Sequence, residues 1–340
     1  MNTVHNSVIT TQKLQAVHDL VRQKQSFAII SHIHSDGDAL GSCFALSLHL
    51  KRLNKEVRVL IPGKIPTKYA FLDVTANLDR IDDKQAEQYI ARCDIIFILD
   101  ISAPDRMDIY QNAVLGSSAQ KVWIDHHPLR CPQDGICLVD TQRIATAEIL
   151  YRYFKQFQIA IDQEMAVALY TAIVSDSGGF RFQGVSSFTF SMAAELTALG
   201  VDPSVIYRRL FETSYHHQIR AWGEILQGMR QQENISYAIV TRELMQRYQI
   251  GPDELDGLID FMRKDGGSEV FMVFVEKEAQ QTQVGLRSRN GYNVGRIAEN
   301  LGGGGHFHAA GFTIAAGVNA AVQRTISEVN AVHNKQQGKQ

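Results

Sequence analysis

Phe27-Ala28-Ile29-Ile30-Ser31-His32-Ile33-His34-Ser35-Asp36-Gly37-Asp38-Ala39-Leu40-Gly41-Ser42 is the stretch on which the fold turns. Its first four residues form an apolar run that reads as a buried strand. Cys43 to Leu50 continue the stretch as a buried helix. His32, Asp36 and Asp38 therefore fall in a tight strand-to-helix turn. In an open parallel sheet such turns lie at the carboxyl ends of the strands, where ligands bind. Three groups of metal-ligating type so close together suggest a divalent cation. The two aspartates would equally serve to cap the following helix, and the stretch alone leaves both readings open.

Outward from this turn, the same pattern recurs. Leu14, Val17 and Val21 share a helical spacing over roughly residues 11–24. Val57 to Ile61 is a strand closed by Pro62-Gly63, and residues 64–83 are mixed and loop-rich. A short helix is expected over 84–91. Asp94-Ile95-Ile96-Phe97-Ile98-Leu99-Asp100 is the strongest strand signal in the chain and ends in an acid. Lys121 to Ile124 is a further strand, ending in Asp125-His126-His127. Residues 145–157 and 164–174 read as helices, the second running into Ser175-Asp176-Ser177-Gly178-Gly179. Helices near 189–199 and from Asp202-Pro203 follow. Strands alternating with helices indicate a parallel α/β domain.

After about residue 213 the character changes. A helix near 216–229 reads as a connector (214–232). Strands are expected at 235–240, 269–276, 282–288 and 310–315, with helices near 241–248, 253–263 and 293–301. A last helix places Val322, Ile326 and Val329 on one face, ahead of a polar tail at 334–340. This is a smaller mixed-sheet domain, over 233–337, behind a first domain over 1–213.

With 45% hydrophobic and 21% charged residues, a chain of 340 residues can bury a core in each of two domains. A net charge of −2 carries no basic footprint for long nucleic acid. No run has the length or layout of a membrane span or a secretory leader, so a cytoplasmic protein off the membrane is expected. Cys43, Cys93, Cys131 and Cys137 contain no CxxC pair, so neither a zinc knuckle nor a disulfide framework is expected.

Four places carry the same chemistry: His32, Asp36 and Asp38; Asp100; Asp125, His126 and His127; and Asp176. Carboxylates and imidazoles without thiolates suit a Mn²⁺- or Mg²⁺-like ion, with Zn²⁺ not excluded. Their number exceeds the needs of one ion and fits a pair bridged by a carboxylate, an arrangement that activates water for phosphoryl displacement.

These motifs resemble the DHH phosphoesterase superfamily, in the DHH–DHHA1 branch of nano-RNases and pAp phosphatases. The first motif is His32-Ile33-His34-Ser35-Asp36-Gly37-Asp38-Ala39-Leu40-Gly41-Ser42, with Ser35 where the family usually has proline. The second is Asp100-Ile101-Ser102 with Arg106. The naming motif is Asp125-His126-His127-Pro128. The fourth is Ser175-Asp176-Ser177-Gly178, followed by Phe180-Arg181. The C-terminal signature matches Arg287-Ser288-Arg289 and Gly302-Gly303-Gly304-Gly305-His306-Phe307-His308-Ala309-Ala310-Gly311-Phe312.

The resemblance implies a parallel-sheet domain with helices on both faces, a smaller mixed α/β domain, and an active-site cleft between them. It implies His32 and Asp36 on a first metal, Asp38 and His126 on a second, Asp100 bridging and Asp176 completing the second site. His127 would contact the scissile phosphate as an acid or electrostatic stabiliser, with Asp125 orienting the histidines and Arg106 binding phosphate or lying on the water side. The ions would be two divalent cations, Mn²⁺ first, with Mg²⁺ or Co²⁺ as substitutes.

In the second domain, four consecutive glycines suggest that the backbone must approach something closely and could form an anion nest. His306 adds a donor. Arg287 and Arg289 alternate along a strand and so face one side, where arginine can fork onto phosphate. The expected substrate-binding set is therefore Arg287, Ser288, Arg289, Gly303, Gly304, Gly305 and His306. The resemblance implies cleavage of short RNA, two- to five-residue, to mononucleotides and removal of the 3′-phosphate of pAp. Short RNA or nucleotides are then the partners, rather than long duplex. A soluble cyclic-dinucleotide phosphodiesterase, an exopolyphosphatase-like enzyme and, last, a non-catalytic nucleotide-binding protein are the alternatives, and a homodimer is left open.

Overall fold

Strands covered on both faces must be apolar at successive positions, and the first sheet is assembled from such runs. The computed structural model describes residues 9–72, 82–129, 132, 135–305 and 307–337, the side chains of 334–337 excepted. The chain divides into two units, Met1–Thr213 and Ser214–Gln340.

In the first unit, β1 (Ser26–Ile30), β2 (Glu56–Leu60), β3 (Ile95–Leu99), β4 (Gln120–Asp125) and β5 (Gly135–Val139) form one sheet in the order β2-β1-β3-β4-β5. Every neighbouring pair is parallel. The two-residue period of the strand sends Phe27, Ile29, Ile95, Phe97 and Leu99 to one core and Ala28, Ile30, Ile96 and Ile98 to the other. Helices Gly37–Arg52, Thr146–Gln156 and Gln163–Asp176 contribute to the first core. Helix Asp83–Arg92 and the 3₁₀ turn Pro104–Tyr110 contribute to the second. Because β1 is flanked by β2 on one side and β3 on the other, the chain reverses its direction of winding there. Such a switch point opens a crevice at the carboxyl ends of the strands.

Several elements differ from expectation. β5 was not anticipated: it is a short edge strand that begins on a glycine, with only the four apolar residues Ile136 to Val139 behind it. Asp176 is the last residue of its helix and not a turn residue beyond it. Cys137, on β5, is disulfide-bonded, against the expectation of no disulfide. Its partner lies outside the described residues, while Cys43 and Cys93 are free and buried. Two cysteines need only proximity to pair, and spacing does not reveal proximity.

The second unit holds a six-stranded sheet, β10-β11-β9-β8-β7-β6, built from β6 (Arg230–Gln232), β7 (Ile235–Val240), β8 (Val270–Glu278), β9 (Gln281–Ser288), β10 (Gly304–Gly305) and β11 (Ala309–Ile314). Only β7–β8 is parallel, so the sheet is mixed. β8 alternates Val270, Met272 and Phe274 toward helices Val294–Asn300 and Val318–Gln337 and Phe271, Val273 and Val275 toward the opposite core. Helix His216–Gln227, expected as a connector, buries Ala221 and Ile225 in that opposite core. Trp222 Nε1 and Gln218 Nε2 of this helix donate to the Glu254 carbonyl at 3.0 and 2.8 Å. It is thus built into the second unit. No described helix is long and apolar enough to cross a membrane.

Candidate metal centre

The turn after β1 is tied down before it presents any ligand. Ser31 Oγ donates to the Leu99 carbonyl at 3.1 Å and Ser35 Oγ to the His32 carbonyl at 2.5 Å. Asp36 Oδ1 accepts the backbone N–H groups of Asp38 and Ala39, both at 3.1 Å, and so caps helix Gly37–Arg52. Both readings of this aspartate hold together: one oxygen caps the helix, while an oxygen of the group also lies among donors from His32 and Asp100. His32 Nδ1 is 2.8 Å from the Ile33 carbonyl and 3.0 Å from Arg106 Nη2. Arg106 therefore stands beside a candidate ligand, held there also by the Ile33 N–H donating to its carbonyl at 2.9 Å.

Asp100 follows β3 with φ of 59°, a left-handed conformation that aspartate tolerates better than most residues. The turn aims its buried carboxylate inward. Oδ2 lies 3.4 Å from His32 Nε2, and Oδ1 lies 3.5 Å from His126 Nε2 and 3.3 Å from His127 Nδ1. At the end of β4, Asp125 Oδ1 accepts from His127 N at 2.9 Å and pairs with His127 Nδ1 at 2.7 Å. Asp38 is fully buried. Its Oδ1 accepts from Ser42 Oγ at 3.1 Å and Ala147 N at 3.0 Å, and its Oδ2 from Thr146 N at 2.6 Å.

Two trios result, in each of which the donor atoms all lie within 4.8 Å of one another: His32 with Asp36 and Asp100, and Asp38 with His126 and Asp176. A third group joins Asp100, Asp125, His126 and His127. His126 tests whether a cation fits. Its Nδ1 is 3.3 Å from the Arg143 carbonyl. Its Nε2 is buried without a well-aligned hydrogen bond, yet faces oxygens of Asp176, Asp100 and Asp38 at 3.2, 3.5 and 3.9 Å. An imidazole nitrogen so ringed by carboxylate oxygens is a donor set for a hard-to-borderline divalent cation. These acidic and imidazole groups could hold a metal.

Electrostatics supports the same view. Burial, reinforced by Asp100 and Asp176, pushes the Asp38 carboxyl well above the usual range. Burial, with Asp176 and Asp100, pushes Asp36 up to about 6. Burial also opposes the charge of Asp100, but hydrogen bonds from His127 and His32 outweigh it and hold that carboxyl well below the usual range. Burial favours a neutral His127, yet its hydrogen bonds to Asp100 and Asp125 push it up to about 9. His126 is raised against burial by Asp176.

In the second unit, Arg287 Nε lies 3.8 Å from Asp260 Oδ1. Arg289, just past β9, donates to the Asp265 carbonyl at 3.1 Å and lies over the Phe271 ring at 5.1 Å. Ser288 points the other way: it is buried, with its hydroxyl donating to the Tyr292 carbonyl at 2.6 Å and 3.0 Å from His308 Nδ1. The glycine run is explained within the chain. The N–H groups of Gly302 and Gly303 bond Glu299 and Ala298 carbonyls at 3.2 and 2.8 Å, closing a helix end. A side chain at Gly303 or Gly305 would overlap the backbone of β11. The close approach expected here is therefore β10 on β11, and within the run Gly302 and Gly304 have open space above them. His306 lies outside the described residues.

Sequence reasoning missed the segment Arg143–Glu148, which touches three candidate ligands. A signal existed: helix Thr146–Gln156 begins after Ala145, which offers no capping side chain, so a remote acceptor had to supply one.

Residues 26–173 match the model of the DHH family, N-terminal domain, and residues 234–334 that of the DHHA1 domain. The chain belongs to the DHH–DHHA1 phosphoesterase family and is a hydrolase of phosphoester bonds. Among its relatives is the bifunctional oligoribonuclease and PAP phosphatase NrnA of Bacillus subtilis, 25% identical over 287 residues, covering 83% of this chain and 87% of that one. The protein of the same name from Thermus thermophilus is 28% identical over 307 residues, covering 89% of each. The fold matches the crystal structure of an exopolyphosphatase-related protein from Bacteroides fragilis with a TM-score of 0.91 at 24% identity, over 97% of this chain and 99% of that one.

Proposed function

We propose that the protein cleaves very short oligoribonucleotides to mononucleotides and removes the 3′-phosphate of 3′-phosphoadenosine 5′-phosphate, in the cytoplasm, with two divalent cations of the Mn²⁺ kind. The names of the two NrnA relatives, matched over most of their length, support the substrates. The net charge of −2 favours a short substrate, because long strands need extended electrostatic tracking. The observation that carries the reading is His126 Nε2 among three carboxylate oxygens.

On this reading His32, Asp36 and Asp100 hold one ion, and Asp38, His126 and Asp176 the other. Asp100 turns one oxygen toward His32 and the other toward His126, and so faces both sets. Divalent cations held there supply a water of lowered pKa at neutral pH and neutralise charge on the phosphoryl oxygens. Asp125 and Asp100 engage His127 Nδ1, leaving Nε2 to present a proton to the phosphate or the departing oxygen. Against burial, those hydrogen bonds favour the protonated imidazole and push His127 up to about 9 with no cation at the site. Arg106, beside His32, contributes a fixed positive charge for the substrate phosphate.

The test is product analysis with Mn²⁺ in separate reactions of linear pApA, pGpG, pAp and cyclic di-AMP, with Asp100→Asn as control. Mononucleotides from the linear dinucleotides and AMP from pAp, all lost in the control, are the expected result. Preferential opening of the cyclic substrate, or cleavage of polyphosphate alone, would reject the substrate assignment.

A further inference from the structure

Helix Thr146–Gln156 starts without a capping side chain of its own. Its first N–H groups are instead taken by Asp38, from 108 and 109 residues away: Thr146 N at 2.6 Å and Ala147 N at 3.0 Å. The same Thr146 turns its hydroxyl toward Asp100 Oδ1 at 3.3 Å. One turn earlier, the Arg143 carbonyl faces His126 Nδ1 at 3.3 Å. A six-residue segment thus touches three candidate ligands that come from three different strand ends.

The segment is itself anchored away from them. Glu148, buried, accepts from Thr189 Oγ1 at 2.5 Å and from Ile144 N at 3.4 Å, with Arg143 Nη1 at 3.9 Å. Glu148 stands in the third helical position and reaches back to the chain before the helix, as the glutamate of a capping box does. Asp38 supplies the other half of that box from the turn after β1. The two halves come from distant parts of the chain, so the helix start and the ligand fix one another.

We infer that Arg143–Glu148 is an orienting clamp for the metal centre and that Thr146 is its positioning residue, linking Asp38 through its backbone and Asp100 through its hydroxyl. Threonine suits the task because a β-branched side chain is restricted at χ1 and holds its hydroxyl in place. The carbonyl of Arg143 gives His126 an acceptor for an Nδ1 proton, which leaves Nε2 as the donor atom toward the carboxylates. The inference rests on the metal reading above and goes beyond it: outer partners of this kind set how well a site that already has its ligands binds an ion.

The test compares Mn²⁺ binding by calorimetry and by the electron paramagnetic resonance signal of free Mn²⁺ in wild type, Thr146→Val and Thr146→Ser. Valine keeps the shape and removes the hydroxyl, whereas serine keeps the hydroxyl. The valine variant is expected to bind about 10- to 100-fold more weakly and serine to retain most of the affinity. Melting in chelator shows that both variants are folded. Equal binding by wild type and valine, or an equal loss in serine and valine, would overturn the role of the hydroxyl. Absence of Mn²⁺ binding in wild type itself would overturn the metal reading and this inference with it.

Discussion

Gly41 offers a direct way to ask whether helix packing sets the centre. Helices Gly37–Arg52 and Gln163–Asp176 carry Asp36 and Asp38 at the start of one and Asp176 at the end of the other. They meet at Gly41. A methyl group there would overlap the Ala168 carbonyl oxygen and lie 3.0 Å from Ala172 Cβ and 3.2 Å from Ala172 N. The obstacles are mostly backbone, so no rotamer change relieves them. Forced overpacking costs up to about 3 kcal/mol, and alanine recovers about 1 kcal/mol of helix propensity. Gly41→Ala should therefore lose about 2 kcal/mol. For a unit of this size that is a fall of about 4–8 °C in melting temperature, with weaker Mn²⁺ binding because the two helices separate where they carry ligands. Gly223, within helix His216–Gln227, has nothing within 4 Å of an added methyl and serves as the control: alanine there should stabilise by about 0.5–1 kcal/mol. Scanning calorimetry in chelator reads both. A Gly41→Ala protein that melts at or above wild type would refute the packing argument.

Two further outcomes follow from the sites. In chelator, His127 has a folded pKa of about 9 against an ordinary 6.5, so its contribution is fully present below about pH 6.5 and is lost as pH rises through about 9. That contribution is roughly 3 kcal/mol, so wild type should lose several degrees more than His127→Gln between about pH 6 and 9.5; parallel curves would discard the assignment. On the proposed function, Arg287→Ala should raise KM for a linear dinucleotide about 10- to 100-fold, the worth of one charged hydrogen bond to phosphate, and leave a nonspecific chromogenic phosphodiester little affected. An equal rise for both substrates would remove Arg287 from substrate reading.

What was legible in the sequence follows physical lines. β1, β3 and β4 stood out because a strand buried on both faces needs an unbroken apolar run, and the polar residues that end those runs lie at the carboxyl edge. Their convergence could be read from strand ends because parallel strands bring those ends together. β5 escaped because its apolar run, Ile136 to Val139 behind Gly135, is too short to distinguish a strand by periodicity. The 3₁₀ turn Pro104–Tyr110, which carries Arg106, has no periodicity to detect. The glycine run was legible as a close approach but not as to what approaches: β11 of the same sheet is the neighbour, and that depends on a pairing formed only after folding. Thr146 was hidden for a related reason. Its chemistry lies in a backbone N–H and a hydroxyl whose partners are remote in sequence, and residue identity alone does not reveal which distant acceptor a helix start will meet.

The charges of the centre explain why these residues occur together at a cost to the fold. Asp100 remains ionised because imidazoles surround it. Asp38 accepts two backbone N–H groups at a helix start and faces His126 Nε2 at 3.9 Å, yet burial, with Asp100 and Asp176, pushes its carboxyl upward. Asp36, capping a helix of its own, is raised to about 6 by burial and by its acidic neighbours. A helix start carries only a fraction of a unit charge, too little to balance several buried carboxylates. On the proposed function, a divalent ion in each trio would reverse the balance, since a nearby cation favours the charged form of every carboxylate around it. The acids that repel one another in the chain alone are thus the groups through which ion binding would return stability to it: without an ion, stability should fall as the raised carboxyls of Asp36 and Asp38 ionise with rising pH, while metal affinity should rise over the same range because protons no longer compete for the carboxylates.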